Sequence, residues 1–334
     1  MKIYLYFEGE KIIQTSGIGR AMKHQMAALT SAGIDFSIEP CEDYDILHIN
    51  TVGPSSYGMI KKARKLGKKV IYHAHSTEED FRNSFVLSNQ IAPLFKKHLV
   101  SLYSKADYII TPTPYSKKLL EGYGITLPIA ALSNGIDLKR FEPDAGKIRA
   151  FRNYFSLTPE DKVVISVGLY FDRKGILDFV EVAKRLLQYQ FIWFGYTPLY
   201  SIPKHIRQVI THDHPSNVLF PGYIKGDMIE GAYAGADCFF FPSKEETEGI
   251  VVLEGLAARQ NIVLRDIGVF EPWMKSAVNC YKGRNVDEFC ELVQGVVEKT
   301  LPDVSEAGHQ TAQERSIEAV GQGLKKIYEE VLAK

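Results

Sequence analysis

The feature that most constrains the fold of this chain is a repeated alternation of short apolar strands, turn or glycine loops, and amphipathic helices. The predicted strands of the N-terminal half are Lys2–Phe7, Ile34–Ile38, Ile46–Ile49, Val70–His73 and Tyr108–Thr111. Helical patterns lie between them, through Met22–Leu29 and over Met59–Leu66 and Ile91–Ser104. Strands that alternate with helices in this way predict a parallel sheet that is covered on both faces.

The alternation restarts after a turn cluster at Ser133–Asp137 and a polar helical stretch at Ala145–Phe155. A helix at Ile176–Leu187 follows the first predicted strand of this half. The predicted strands are Val163–Val167, Phe191–Phe194, Val218–Phe220, Cys238–Phe241 and Ile262–Leu264. The last helix, about Ala312–Leu332, has apolar residues at near 3.6 spacing, which predicts one buried face. These residues are Ile317, Val320, Leu324, Ile327, Tyr328 and Val331.

The length of the chain, 334 residues with 45% hydrophobic side chains, is enough for two cores. We therefore expect an α/β protein with two doubly wound, Rossmann-like domains that face a cleft. The expected N-terminal domain covers residues 1–145 and the C-terminal domain covers residues 146–315. A terminal helix over residues 316–334 could return to the first domain.

Composition excludes several classes of protein. A formal net charge of zero argues against a dedicated nucleic-acid binder. Acidic and basic residues interrupt the first apolar run, which argues against a signal peptide, and no stretch approaches a membrane span. Four cysteines without a metal-binding spacing are typical of a reduced, cytoplasmic protein. Membrane contact, if present, is expected to be peripheral.

The most informative segment runs from Phe241 to Glu254 and reads as a strand, a loop and a helix that opens near Gly249. The N–H groups at a helix N-terminus suit a diphosphate. Glu254 lies on the predicted buried stripe of this helix, where a carboxylate requires donors such as ribose hydroxyls. Glu246 precedes the helix and could bind sugar hydroxyls. The alternative is a capping acid and a structural carboxylate.

Two adjacent cations, Arg173 and Lys174, stand between a predicted strand that ends at Gly168 and a helix that follows Gly175. Arginine binds phosphate through two donors, and lysine acts as a point charge. In the absence of a metal, these cations would stabilise a leaving nucleoside diphosphate. A solvated surface pair is the alternative interpretation.

Two histidines, His73 and His75, follow the strand at Val70–His73. A histidine at a strand end can bind a sugar hydroxyl or transfer a proton. The alternatives are a zinc ligand or a core histidine, although no third ligand is evident. Ligands of parallel sheets bind beyond the carboxyl ends of the strands, so we expect these histidines and the acidic and basic segments to reach one cleft.

Two further motifs carry weaker signals. Ser16–Arg20 begins like a dinucleotide-binding fingerprint, but Met22 occupies the place of the third glycine. A glycine turn that approaches a phosphate or a sugar fits this segment better. Asp43 and Asp45 form a DxD pattern that precedes a strand, so we expect a solvated loop far from the cleft and no metal.

Two stretches suit docking on an anionic membrane surface. The basic cluster consists of Lys61, Lys62, Arg64, Lys65, Lys68 and Lys69. The apolar helical stripe, which Lys96 and Lys97 flank, consists of Ile91, Leu94, Phe95, Leu99 and Leu102. The alternative is an ordinary core-facing helix beside a solvated charged face.

Together these segments resemble the retaining glycosyltransferases of family 4, which have the two-domain GT-B fold. The E-x7-E pattern of the family maps onto Glu246 and Glu254. Its donor-phosphate pair maps onto Arg173 and Lys174, and its N-terminal glycine loop maps onto residues 17–19. Further matches are the linker motif Asn134-Gly135-Ile136-Asp137, the pair Gly222-Tyr223, and the segment Ala232–Asp237.

Two positions depart from the family pattern. Leu169 stands where the family often has arginine, so Arg173 is expected to act instead. Glu248 stands where the family often has phenylalanine. The segments Thr247–Ile250 and His73–Thr77 are similar to those of bacterial diacylglycerol glycosyltransferases, in which the second histidine is the functional one. That similarity selects His75 over His73.

The resemblance implies transfer of galactose or glucose from a UDP-hexose to a membrane glycolipid such as glucosyl-diacylglycerol, as in second-step enzymes of Gram-positive bacteria. The transfer would retain configuration, need no metal and occur at the inner face of the cell membrane. The implied catalytic residues are His75, Arg173, Lys174 and Glu246. The implied donor-binding residues are Gly17, Gly19, Tyr223, Thr247, Glu248, Gly249, Ile250 and Glu254. The alternatives are a soluble enzyme that builds a capsule or wall saccharide, and a non-catalytic nucleotide-sugar-binding protein.

Overall fold

The computed structural model describes residues 1–9 and 17–334, which form two parallel sheets of six strands each. The sheets belong to two compact units. Unit 1 comprises Met1–Phe81, Gln90–Ile136 and Arg315–Lys334, and unit 2 comprises Arg82–Asn89 and Asp137–Glu314. The described helices pack on these sheets.

The sheet of unit 1 has the spatial order β2-β1-β3-β4-β5-β6. Its strands are β1 (Lys2–Tyr6), β2 (Asp35–Ser37), β3 (Ile46–Ile49), β4 (Lys69–His73), β5 (Tyr108–Thr111) and β6 (Ile129–Ala131). The helices of this part of the chain are α1 (Gly17–Ser31), α2 (Ser55–Lys65), α3 (Glu78–Phe81), α4 (Ser88–Tyr103) and α5 (Pro114–Gly122). Every pairing in the sheet is parallel, because each strand is followed by a crossover.

The sheet of unit 2 has the order β12-β11-β10-β7-β8-β9. Its strands are β7 (Val163–Val167), β8 (Gln190–Phe194), β9 (Val218–Gly222), β10 (Cys238–Phe241), β11 (Ile262–Arg265) and β12 (Tyr281–Gly283). The remaining helices are α6 (Ala145–Tyr154), α7 (Ile176–Arg185), α8 (Lys204–Thr211), α9 (Asp227–Gly235), α10 (Ile250–Ala257), α11 (Val286–Val297), α12 (Ser305–Gln313) and α13 (Ile317–Ala333).

Strands β7 and β10 are neighbours in the sheet of unit 2, although the chain forms β8 and β9 between them. The strand order therefore reverses at this pair, which is the topological switch point where doubly wound sheets bind ligands. The loops that follow β7 and β10 leave the sheet side by side at its carboxyl edge. These loops carry Arg173, Lys174 and Glu246.

Helix α13 packs in unit 1 against α1, and all six apolar residues of its predicted buried face are buried. Gly321 makes this close approach possible, because a Cβ there would lie 2.3 Å from the carbonyl oxygen of Ala28. The buried face of α13 joins the core around Ile3 and Leu5 of β1.

The doubly wound α/β architecture predicted from the alternation is confirmed, but three local predictions were wrong. Strands β6 and β12 were missed, since runs of three residues carry too little periodic signal. The predicted last helix is two helices, because the Ser316 hydroxyl accepts from the N–H of Ala319 and caps α13 as a new helix. Gly17 and Gly19 lie in α1 and not in a loop, and Ser16 lies outside the described residues.

Candidate active site

The loop after β7 approaches β10 closely, and Gly175 permits this approach. Its φ of +78° lies in the left-handed region that favours glycine, and a Cβ would lie 2.2 Å from the carbonyl oxygen of Pro242. The preceding residues, Asp172–Lys174, form one turn of 3-10 helix. The sequence thus places two cations directly before a glycine that fixes them against the end of the neighbouring strand.

Lys174 and Glu246 come together at this switch point. The ammonium of Lys174 donates to Oε1 of Glu246, and their side chains are only 13% and 7% exposed. The hydroxyl of the fully buried Ser243 lies 2.8 Å from the same carboxylate oxygen. Ser243 is a residue that the sequence analysis missed, since its position between the strand and the acids gave no separate signal. The result is a largely buried cation beside a carboxylate at the carboxyl edge of the sheet.

Arg173 is held by two segments of unit 2. Its Nε donates to Oγ of Ser84 at 2.8 Å, and its Nη1 donates to the carbonyl oxygen of Glu245 at 3.3 Å. Its main-chain N–H donates to the carbonyl oxygen of Asn83 at 3.1 Å. Asn83 and Ser84 were not predicted as partners, because they lie far from Arg173 along the chain. The guanidinium is therefore fixed in direction by the protein.

Helix α10 begins after Gly249, whose φ is +88°. Six consecutive residues, Val252–Ala257, are buried, so the helix is enclosed on all sides and the predicted single stripe was wrong. Glu254 is 3% exposed and accepts a hydrogen bond of 2.7 Å from the hydroxyl of Tyr233. Tyr233 thus supplies one of the donors that a buried carboxylate requires. The sequence offered no means to pair these two residues.

The other predicted donor-binding residues differ in exposure. Glu248 is buried, Thr247 and Ile250 are half-buried, and Tyr223 follows β9 with 42% of its surface exposed. In unit 1, Gly19 is buried in the first turn of α1, whereas Gly17 is exposed. Their contact with a donor stays a prediction.

His75 lies two residues beyond β4 and is buried. Its Nε2 is 3.1 Å from Oδ1 of Asn50, which follows β3. With that amide oxygen accepting, Nε2 carries the proton and Nδ1 is the acceptor of a neutral ring. Burial lowers the pKa of His75 to about 4, so the ring is neutral near pH 7.

Two further buried histidines, His48 and His73, lie beside His75, and together they predict acid sensitivity. Burial lowers the pKa of His48 to about 3 and that of His73 well below 6.5. The unfolded chain therefore binds more protons than the folded chain as the pH falls below about 6.5. We expect each of these histidines to remove up to about 1.4 kcal/mol of unfolding free energy per pH unit between about pH 6.5 and its own pKa in the folded protein.

Urea denaturation at neutral and mildly acidic pH would check this prediction. His73→Phe should lose less stability than the wild type on acidification, because it lacks one of the titrating rings. The exposed His205 provides the control, and His205→Ala should keep the wild-type pH dependence. Equal acid sensitivity of His73→Phe and the wild type would contradict the prediction.

The DxD pattern lies in an exposed loop before β3, as predicted. The side chain of Asp43 is 97% exposed and pairs with Lys2 at 3.3 Å. Asp45 accepts from the main-chain N–H of the same lysine at 2.8 Å. Among residues 1–9 and 17–334, no group of three histidine, cysteine or acidic side chains is arranged to hold a metal ion.

Comparison with known proteins places this arrangement in a family. Residues 17–140 match the family described as Glycosyltransferase Family 4, and residues 148–314 match Glycosyl transferases group 1. The chain is 47% identical over 333 residues to the processive diacylglycerol alpha-glucosyltransferase of Acholeplasma laidlawii, which covers 99% of each chain. The chain belongs to glycosyltransferase family 4. The predicted family and the predicted class of enzyme, a glycosyltransferase, are thereby confirmed.

Other members and solved structures extend the comparison. The chain is 23% identical over 294 residues to the alpha-galactosylglucosyldiacylglycerol synthase of Streptococcus pneumoniae, covering 86% of this chain and 78% of that protein. HepE of Anabaena in complex with UDP-glucose superposes with a TM-score of 0.78 at 15% identity, over 99% and 100% of the two chains. Sucrose-phosphate synthase of Thermosynechococcus elongatus superposes with a TM-score of 0.81 at 16% identity, over 100% of this chain and 99% of that chain. These similarities confirm the GT-B fold.

No helix in the described part of this family 4 chain is long and apolar enough to span a membrane.

Proposed function

We propose that this glycosyltransferase moves glucose from UDP-glucose to a glycosylated diacylglycerol. The observation that carries the proposal is the 47% identity, over 99% of both chains, to an enzyme named for diacylglycerol glucosylation. Galactose is the second donor candidate, supported by the more distant streptococcal synthase. The pairing of Lys174 with Glu246 at the switch point of unit 2 supports a donor site there.

The donor diphosphate is proposed to bind at the carboxyl edge of unit 2. Lys174 and Arg173 would neutralise its charge, and the N–H groups at the start of α10, after Gly249, would donate hydrogen bonds to its oxygens. Glu246 would bind hexose hydroxyls while it keeps Lys174 in place. Glu254, which the hydroxyl of Tyr233 already orients, would accept a hydrogen bond from a ribose hydroxyl.

Retention of configuration without a metal is the mechanism we propose for this site. The relative is named for an alpha linkage, and UDP-glucose is itself an alpha-glycoside, so an alpha product preserves the configuration. Lys174 and Arg173 would stabilise the negative charge of the leaving diphosphate. In metal-dependent enzymes, a bound metal ion has this role. The departing phosphate oxygen would take the proton of the acceptor hydroxyl on the same face of the sugar.

His75 is proposed to contact the hexose near its reacting carbon. Its neutral ring, with Nδ1 as the acceptor, suits a hydrogen bond from a sugar hydroxyl. A cation at this position would instead oppose the positive charge that develops on the sugar in the transition state. Burial therefore serves this role by keeping the ring uncharged.

Docking at the inner face of the cell membrane is proposed for unit 1. On α4, Leu99 and Leu102 are fully buried and Phe95 stacks on Phe81, so only the start of the predicted stripe faces outward. Ile91 and Leu94 are 42% and 66% exposed there. In the basic cluster, two of the cations have acidic partners, Lys62 with Glu42 and Arg64 with Asp107. The exposed apolar residues at the start of α4 therefore support membrane docking more strongly than the basic cluster does.

Replacing Ile91 and Leu94 together with serine should weaken binding to vesicles of phosphatidylglycerol and phosphatidylcholine at least tenfold. Each side chain buried in the bilayer contributes on the order of 1–2 kcal/mol. Leu187→Ser is the matched control, since Leu187 is 63% exposed in unit 2. Sedimentation with vesicles measures the binding. Unchanged binding of the double variant, or an equal loss in Leu187→Ser, would contradict the docking surface.

A donor and acceptor screen tests the proposed function. Mixed UDP-glucose, UDP-galactose and UDP-N-acetylglucosamine would be incubated with diacylglycerol, glucosyl-diacylglycerol and soluble oligosaccharides, and products read by mass spectrometry. We expect hexosylated glucosyl-diacylglycerol, with glucose as the preferred sugar. Transfer to soluble saccharides alone would support the capsule or wall alternative. Binding of UDP-glucose without transfer or hydrolysis would support a non-catalytic protein.

A further inference from the structure

Three imidazole rings of unit 1 form a column, here called the histidine stack, made of His48, His73 and His75. The ring centroids of His48 and His73 are 5.4 Å apart with planes at 24°. Those of His73 and His75 are 4.1 Å apart with planes at 12°. His48 lies in β3, His73 is the last residue of the neighbouring β4, and His75 follows two residues later, so the paired strands set the spacing of His48 and His73.

The geometry of the histidine stack is unlike that of a metal centre. Ring nitrogens direct their lone pairs in the plane of the ring, and nearly parallel rings therefore do not aim them at one point. No group of metal ligands is found among the described residues. The stack must be explained by contacts of ring faces.

Hydrogen bonds fix the two ends of the stack. Nδ1 of His48 is 2.7 Å from the hydroxyl of Tyr328 on α13, and Nε2 of His75 is 3.1 Å from Asn50 Oδ1. The ring of His48 also contacts Nε2 of Gln25 at 3.1 Å. The hydroxyl of Tyr328 therefore fixes the rotation of the His48 ring, and the amide of Asn50 fixes that of the His75 ring.

The middle ring, His73, is different. Within residues 1–9 and 17–334, neither of its ring nitrogens has a hydrogen-bond partner, and the residue is 4% exposed. A buried polar group without a partner costs stability, so its presence here calls for an explanation. Its closest ring contact is with the face of His75.

We propose that His73 and His48 are positioning residues that hold the ring of His75 through the stack, with Tyr328 as its anchor. The inference rests on the proposed function, in which His75 contacts the hexose. A flat ring at position 73 prevents His75 from tilting away from the plane that Asn50 selects. The hydroxyl of Tyr328 holds the far end, so a helix at the C-terminal end of the chain acts on a residue of the reaction.

Two substitutions at position 73 separate ring packing from other roles. His73→Phe keeps a flat ring, and His73→Leu removes it. Steady-state rates would be measured for UDP-glucose hydrolysis without acceptor and for transfer to glucosyl-diacylglycerol. We expect His73→Phe to keep kcat within about threefold and His73→Leu to lower kcat at least about tenfold. The KM for UDP-glucose should change less than about twofold in both variants, because the stack positions His75 and does not bind the nucleotide.

A second pair of variants tests the stack without changing position 73, in case His73→Leu does not fold. Tyr328→Phe removes only the anchoring hydroxyl, and Tyr108→Phe removes a hydroxyl that contacts Glu330 on the same helix α13. We expect a lower kcat with an unchanged KM in the first variant and wild-type rates in the second.

Wild-type kcat in folded His73→Leu, or equal losses in the phenylalanine and leucine variants, would overturn the positioning role. Wild-type kcat in Tyr328→Phe would overturn the anchor. Hydrolysis distinguishes these failures from a failure of the proposed function. If the wild type hydrolyses UDP-glucose but glucosylates no lipid, the acceptor is wrong, and the hydrolysis rates still test the stack.

Discussion

Lys174→Ala is expected to lower turnover at least ~100-fold, because a cation beside the leaving diphosphate stabilises charge that develops in the transition state. The change also leaves Glu246 without its cation, and breaking a largely buried pair costs about 3 kcal/mol of stability. Glu246 keeps its contact with Ser243, so the variant should still fold. Initial rates of transfer and thermal unfolding would be measured on the same preparation.

Two companion variants sharpen this experiment. Lys244→Ala removes a lysine of the neighbouring loop whose partner is Asp172 at the surface, and it should keep near wild-type turnover. The double variant Lys174→Ala with Glu246→Gln removes the uncompensated carboxylate, and should recover stability but not turnover. Near-normal turnover of a folded Lys174→Ala would remove the lysine from the proposed mechanism.

Gly175→Ala is expected to destabilise unit 2 by at least about 3 kcal/mol and to lower turnover more than tenfold. Alanine is disfavoured at a φ of +78°, and its Cβ would lie 2.2 Å from the carbonyl oxygen of Pro242. Relief of this clash requires movement of the loop that carries Arg173 and Lys174. Urea denaturation and initial transfer rates measure the two effects.

The matched control for this substitution is Gly58→Ala in helix α2. Gly58 is exposed, and a Cβ there meets no atom within 4 Å. Alanine should stabilise this helix by about 0.5–1 kcal/mol and leave turnover unchanged. Wild-type stability and turnover in Gly175→Ala would show that the loop after β7 does not depend on its close contact with β10.

The sequence predicts the architecture well because strands and helices each have a characteristic spacing of apolar residues. The buried face of α13 was predicted residue by residue from its 3.6 spacing. The same reasoning failed for α10, since a helix enclosed on all sides has no polar face to contrast with its apolar one. It failed again at α1, where glycines suggested a loop but occupy the first turns of a helix.

The candidate site was predictable in its parts but not in its pairings. Lys174, Glu246 and His75 were each predicted as site residues because each follows a predicted strand. Their partners come from distant segments: Tyr233 for Glu254, Ser84 for Arg173, and His48 beneath His73. A one-dimensional pattern does not encode such contacts, because they arise only when the fold brings helices, loops and strands from separate parts of the chain together. The order of β7 and β10 is the clearest example.

The central claim, a retaining and metal-independent transfer of glucose to a glycolipid, is tested most directly by the anomeric configuration of the product. Wild-type protein, treated with EDTA, would be incubated with UDP-glucose and glucosyl-diacylglycerol, and the purified lipid analysed by proton NMR. We expect a new alpha-linked glucose, formed at the same rate with or without the chelator. A beta-linked product, or transfer that is lost with EDTA and restored by a divalent cation, would contradict it.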